Sequence, residues 1–250
     1  MKKIMLQTIL FCCLCVASCS DSERNEPILP PDQEQEEPVT PDRPQDYAGL
    51  INKTYPVPAS YGQEAEHRGE VVRIDYPTRN YAESTGAART NTAYVYLPYG
   101  YDEHTDRRYN VLYFVHGHYG TASTTFEAEN GLLRKLLDHM TENGDMAPTI
   151  VVSPSYNYGQ PTANYADADP YCEALPEELV NDLIPIVESR YRTYAESTDA
   201  AGLEVSRGHR AIGGFSMGAV TTWYALEHTL SCFKYFMPVS ADCWSLGRFA

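Results

Sequence analysis

The stretch that most constrains the fold is Gly214-Phe215-Ser216-Met217-Gly218, preceded by Arg210-Ala211-Ile212-Gly213 and followed by Ala219-Val220-Thr221-Thr222-Trp223-Tyr224-Ala225-Leu226. This order predicts a strand, a tight turn with a serine at its tip, and a helix. Glycines two residues either side of Ser216 suit a place where strand and helix backbones run too close to admit a Cβ. A glycine-flanked serine in an ordinary strand-to-helix turn has the same spelling, so the surrounding chain has to decide.

The chain has 250 residues, enough for one large domain or two small ones, and 43% of them are hydrophobic, enough for a sizeable core. Its first residues do not belong to that core. Met1-Lys2-Lys3 and the apolar run Ile4 to Val16 read as the basic and hydrophobic parts of a secretion signal, too short to remain as a membrane-spanning helix. The run ends in Val16-Ala17-Ser18-Cys19, which resembles a bacterial lipoprotein processing site, with residues 1–18 removed and Cys19 lipidated. The acidic Ser20-Asp21-Ser22-Glu23 resembles an export signal to the outer face of the outer membrane. Residues 19–47 carry Pro27, Pro30, Pro31, Pro38, Pro41 and Pro44 among Glu, Gln and Asp, a composition that cannot bury enough apolar surface to fold and reads as a tether. Residues 48–250 are left for the folded domain.

The formal net charge is -15. Such a surface repels nucleic acid and acidic polymers and favours a neutral substrate, although acidity that serves only solubility has the same signature. Of seven cysteines, Cys172, Cys232 and Cys243 fall in the domain, so at most one disulfide forms within it. No spacing matches a metal site, and no cofactor is expected.

Within the domain, Val71 to Tyr76 and Thr92 to Pro98 read as strands opening a sheet in antiparallel pairing. Tyr109 to Val115 is a continuous apolar run, as in a strand buried on both faces, and ends in His116-Gly117-His118-Tyr119-Gly120. Leu132, Leu133, Leu136, Leu137 and Met140 recur at helical spacing, with Asn143-Gly144 as the stop. Thr149 to Pro154 is a further strand. A second helix is expected to open at Pro176, with Glu177 and Glu178 at the positive end of its dipole, and to kink at Pro185. Tyr235 to Ser240 is the last strand. Strands alternating with helices predict an α/β domain with a mostly parallel sheet.

Taken together these phrases resemble one family. Tyr109 through His116-Gly117, the helix phrase Leu179 to Tyr191, Gly213 to Gly218, and Phe236-Met237-Pro238-Val239-Ser240-Ala241-Asp242-Cys243-Trp244 look like the esterase-D-like α/β-hydrolases. Among these they match best the feruloyl and acetyl-xylan esterases of carbohydrate esterase family 1. The resemblance implies an α/β-hydrolase fold with Ser216 as nucleophile and no metal. It implies an oxyanion hole built from the N–H groups of Met217, Gly117 and His118, each donor contributing roughly 3 kcal/mol. His116-Gly117 read without the family is equally a tight turn with a satisfied histidine. The implied reaction is hydrolysis of feruloyl or acetyl esters on plant cell-wall polysaccharide.

Other ester substrates, such as a siderophore ester or an S-formyl thioester, stay open, as does a non-catalytic glycan-binding lipoprotein. Tyr119, Tyr156, Tyr158, Asp242 and Trp244 fall at strand ends, where this fold binds ligand, and are candidate substrate contacts or loop anchors. The segment Asn157 to Tyr171, with Asp167 and Asp169, reads as a lid or an insertion.

One departure stands out. The triad of this fold runs serine, acid, histidine, yet only 34 residues follow Ser216 and His228 is the sole histidine among them. On a straight helix His228 lies about 18 Å from Ser216, out of reach. The expectation is therefore a domain whose last strands, acid and histidine lie beyond residue 250.

Overall fold

The computed structural model describes residues 57–160 and 162–244. The leader, Cys19 and the tether lie outside the described residues. A six-stranded sheet organises the domain, made of β1 (Glu70–Arg79), β2 (Ala88–Leu97), β3 (Asn110–Val115), β4 (Thr149–Ser153), β5 (Arg210–Phe215) and β6 (Tyr235–Val239). Their order across the sheet is β1-β2-β4-β3-β5-β6. β1 and β2 form an antiparallel hairpin in unbroken register from Glu70↔Leu97 to Arg79↔Ala88, and β2 pairs antiparallel with β4. From β4 onward the pairs are parallel. The expected antiparallel opening and parallel remainder are both present.

β3 explains why the middle of the sheet is so apolar in sequence. Val111, Tyr113 and Val115 are buried in the main core on one face, while Leu112 and Phe114 pack on the other face beneath α1 (Thr124–Glu142). α1 ends where the sequence placed its stop, at Asn143, with Gly144 at φ +76°. The other face is covered by α2 (Tyr165–Glu178), α3 (Ile184–Arg190), α4 (Ala200–Val205) and α5 (Met217–His228). β3 is followed by a helix on one face and β5 by a helix on the other. The sheet thus has its topological switch point between these two strands, where ligands bind in open α/β sheets.

The helix expected to open at Pro176 begins eleven residues earlier. Asn164 caps it, its side chain accepting from the Asp167 N–H at 3.0 Å. Ala168, Cys172, Leu175 and Leu179 are its buried stripe. Pro170 and Pro176 are inside it, so the segment read as a lid or insertion runs into helix from Tyr165 onward, and Glu178 belongs to that helix's last turn. The disturbance expected at Pro185 takes a definite form, a π-helical turn over Leu179–Leu183 between α2 and α3. A proline cannot donate to the carbonyl four residues back and its ring crowds that carbonyl; a widened turn just before it absorbs both defects.

Two buried carboxylates flank this helical run. Glu178 accepts from Tyr76 Oη at 2.7 Å and Asn91 Nδ2 at 2.8 Å. Glu188 receives the Arg210 guanidinium in a fork, 2.5 Å from Nε and 2.7 Å from Nη2, beneath the start of β5. Both thiols Cys172 and Cys232 are buried and unbridged. Among the described residues no helix is long and apolar enough to cross a membrane, and no cluster of His, Cys, Asp and Glu could hold a metal ion.

Candidate active site

Ser216 lies between β5 and α5 with φ 54° and ψ -116°. A non-glycine residue in such a region costs about 1–3 kcal/mol and persists only where its surroundings over-determine it. Here they do. A Cβ on Gly214 would lie 2.6 Å from the Gly218 backbone and 2.7 Å from the Val115 carbonyl oxygen. One on Gly218 would run into that same Val115 carbonyl and lie 2.9 Å from the His116 carbonyl oxygen. The Ser216 N–H donates to the Val239 carbonyl at 3.0 Å, and its own carbonyl accepts from the Ala219 and Val220 N–H groups at 2.8 and 3.1 Å. The hydroxyl is part-exposed and bonds to none of the described residues.

α5 is apolar nearly all round and buried from Met217 to Thr222. The hydroxyls of Thr221 and Thr222 are satisfied by the Met217 and Gly218 carbonyls at 3.2 and 2.8 Å. The helix therefore presents its first-turn N–H groups, which have no intrahelical acceptor, at a fixed place beside Ser216.

The turn His116–Gly120 stands against the elbow, since a Cβ on Gly117 would be 3.6 Å from Ser216 Cβ. It is held from behind by three consecutive residues after β4. Ser155 Oγ is 3.0 Å from His116 Nε2. Tyr156 Oη donates to the Gly117 and His118 carbonyls at 3.3 and 3.4 Å. Asn157 Nδ2 donates to the Gly120 carbonyl at 3.2 Å. Behind these, Asn91 Nδ2 donates to the Ser155 carbonyl at 2.8 Å as well as to Glu178.

The Gly117 carbonyl also accepts from His116 Nδ1 at 2.8 Å and the Gly120 N–H at 3.0 Å. In a trans peptide N–H and C=O point in opposite directions, so tying back this carbonyl turns the His118 N–H the other way. The N–H of Gly117 opposes the His116 carbonyl, which faces Gly218.

His116 is a structural member of this arrangement. Burial pushes its pKa down to about 4, against a weaker upward pull from its bond to Gly117. Its neutral ring stacks on Tyr156 with centroids 4.7 Å apart. With Nδ1–H given to Gly117, Nε2 can only accept, so Ser155 has one hydroxyl proton for two acceptors, Nε2 and Asn157 Oδ1 at 2.6 Å.

Tyr156, expected among the rim contacts to substrate, is corrected to a loop anchor. It is 1% exposed and its hydroxyl is spent on backbone carbonyls. Tyr158 likewise reaches the Arg79 carbonyl, at 3.1 Å. Tyr119 is 81% exposed on the turn. Asp242 is exposed after β6, and Trp244 packs partly buried on the core. His228 ends α5, paired with Glu227 at 3.8 Å and remote from Ser216. His67, His139 and His209 bond to Glu142, Gln63 and Asn110.

The Ser155-Tyr156-Asn157 clamp was not foreseen. Its only signal in sequence is a polar run directly after a buried strand. Larger concavities lie elsewhere: a 530 Å³ groove lined by Tyr81, Glu173, Glu177, Asn181 and His228, and a 670 Å³ groove by Arg107, Arg108 and Glu196. Neither carries a strained serine or a row of aligned N–H groups, so backbone geometry rather than cavity size marks the site.

The family model described as a putative esterase matches residues 84–245. This chain belongs to that esterase family. Over 189 residues it is 40% identical to endo-1,4-beta-xylanase Y of Acetivibrio thermocellus, covering 76% of the chain and 16% of that protein. It is 28% identical over 166 residues to an endo-1,4-beta-xylanase/feruloyl esterase of Xylanibacter ruminicola, covering 65% of the chain and 20% of that protein. Among solved structures it resembles a serine-to-alanine mutant of the feruloyl esterase module from Clostridium thermocellum complexed with sinapinate. That likeness has 39% identity and a TM-score of 0.65, over 76% of the chain and 60% of the module. The ferulic acid esterase of Anaeromyces mucronatus shares the fold, at 23% identity and a TM-score of 0.55, over 72% of the chain and 62% of that structure. The esterase chain thus spans about three fifths of the solved module and under a quarter of the curated relatives. Its fold is that of an α/β-hydrolase.

Proposed function

We propose that the chain carries the nucleophile half of a serine esterase that removes feruloyl or acetyl groups from plant cell-wall xylan. The observation that carries this reading is Ser216 at φ 54°, fixed by Gly214 and Gly218 beside a helix N-terminus. Relatives named as xylanases and feruloyl esterases support the substrate class.

In this reading Ser216 Oγ attacks the ester carbonyl as a general base takes its proton, later given to the leaving alkoxide, and the carbonyl π electrons move onto oxygen. The N–H of Met217 and that of His118, turned outward by the tied-back Gly117 carbonyl, receive the oxyanion. The Gly117 N–H is less suited, because it opposes a carbonyl that faces Gly218. Collapse expels the sugar alkoxide, which takes a proton and leaves as the alcohol, and Ser216 remains acylated. Water then adds to the acyl carbon, releasing the free acid and restoring the serine. None of the described histidines is bonded to Ser216. In this reading Asp242 and Trp244, just past β6, would contact the substrate.

The test is hydrolysis of methyl ferulate and acetylated xylan by the full-length protein and its Ser216→Ala variant. A loss of roughly 10⁴-fold or more is expected; activity surviving the substitution removes the proposal. The same reading has Cys19 lipidated and residues 19–47 tethering the domain at the outer membrane surface. Incorporation of a palmitate analogue, lost in Cys19→Ser, checks it, and label retained by that variant refutes it.

A further inference from the structure

The turn that holds the His118 N–H also holds a ring with nothing to bond. His118 is 4% exposed, and neither Nδ1 nor Nε2 has a hydrogen-bond partner among the described residues. An unpaired buried polar group is destabilising, and native proteins seldom carry one without a use for it. The ring is wedged edge-on between two tyrosines, Tyr119 at 4.6 Å and 77° and Tyr165 at 4.7 Å and 70°. Both are among the most solvent-exposed large side chains of the domain, at 81% and 52%.

Both belong to elements that reach the elbow. Tyr119 belongs to the turn standing against Ser216. Tyr165 opens α2, two turns before Cys172, whose thiol lies 3.7 Å from the Met217 carbonyl. At the rise of an α-helix those seven residues span about 10 Å. The buried ring fixes two exposed aromatic faces beside the turn that stands against Ser216. Because Tyr119 is nearly free in solvent, a small swing of its ring opens the His118 nitrogens.

We propose that His118, Tyr119 and Tyr165 form a sugar subsite. The two tyrosine rings would stack on the carbohydrate that carries the ester, and a His118 ring nitrogen would bond one of its hydroxyls. A sugar offers an apolar C–H face and a hydroxyl edge, matching aromatic faces beside an unpaired nitrogen. An anionic ligand fits poorly with a chain of net charge -15 and a cluster that contains no lysine or arginine.

The inference rests on the esterase reading for its substrate, so the experiment separates the two. For the full-length protein, kcat/KM is measured on a feruloylated xylan oligosaccharide and on methyl ferulate. Tyr165→Ala is expected to lower the ratio of the two about tenfold through KM, and Tyr165→Phe to keep it. An unchanged ratio, or equal losses on both esters, overturns the subsite and in the second case assigns the rings to the acyl group. Calorimetric titration with ester-free xylo-oligosaccharide needs no catalysis. Tyr165→Ala and His118→Phe are each expected to weaken binding about tenfold, and no binding by the parent or no weakening in the variants overturns the proposal. Absence of hydrolysis in every variant sinks the esterase reading instead and leaves the titration to decide.

Discussion

The two ends of β5 are built on opposite rules. At its start Arg210 is 1% exposed, yet every guanidinium nitrogen is used. Glu188 takes Nε and Nη2, the Cys232 and Leu203 carbonyls accept from Nη1 at 2.6 and 3.1 Å, and Ser206 Oγ lies 3.0 Å from Nη2. Burial alone would lower the Arg210 pKa, but the Glu188 carboxylate more than offsets it and holds it above the usual arginine value. Six residues on, Ser216 is strained, its hydroxyl bonds to none of the described residues, and His118 beside it has two unpaired nitrogens. Local rules kept at one end and broken at the other place stability in the first and chemistry in the second.

The strongest way to break the contrast is to unpair the base. Arg210→Met leaves the Glu188 carboxylate buried without its cation, with only the Tyr113 and Thr193 hydroxyls at 3.3 Å, a loss of about 3–5 kcal/mol. Replacing both, Arg210→Met with Glu188→Leu, is expected to recover most of it. Urea unfolding of the single and double variants measures both. A double variant as unstable as the single one would show that the pair's shape, not its charge, matters.

A smaller effect tests the middle ground, His116. Its folded pKa of about 4 lies below the ordinary value near 6.5, so between them the unfolded chain binds a proton that the folded one does not. Its contribution is full above pH 6.5 and is lost as pH falls toward 4, by up to about 3 kcal/mol. Glu178 acts oppositely: burial raises its pKa, so its contribution grows as pH falls through that raised value. The difference between the stability–pH curves of the parent and His116→Gln isolates the histidine, and parallel curves would contradict its assignment as a buried neutral ring.

The smallest effect belongs to the strained end. Ser216→Gly relieves the backbone and is expected to gain about 1 kcal/mol, the released strain less the added freedom of the unfolded chain. Its melting temperature rises as esterase activity disappears. A destabilised glycine variant would mean that φ 54° carries no strain here.

The legible parts of the sequence were those where one physical demand dominates. Gly214 and Gly218 announced the close approach that the structure shows, and the apolar run of β3 announced burial on both faces. α2 was hidden because Pro176 read as its first residue and its buried stripe begins with the weakly apolar Ala168 and Cys172. The clamp on the turn after β3 was hidden for a different reason. Tyr156 is an aromatic residue at a strand end, and only the three-dimensional path of the Gly117 and His118 carbonyls shows that its hydroxyl faces inward.

The π-helical turn at Leu179–Leu183 also sets a phase. Each α-helical residue advances the side chains by about 100°, and the widened turn absorbs one residue without that advance. Winding the same residues as a regular α-helix would instead rotate everything after the turn by about 100° against everything before. Glu178 supports the loops around Ser216 through Asn91, and Glu188 anchors the start of β5 through Arg210. Only with that turn widened can a helical run of this length face both carboxylates to their partners, so the phase between them is as much a part of this fold as the serine itself.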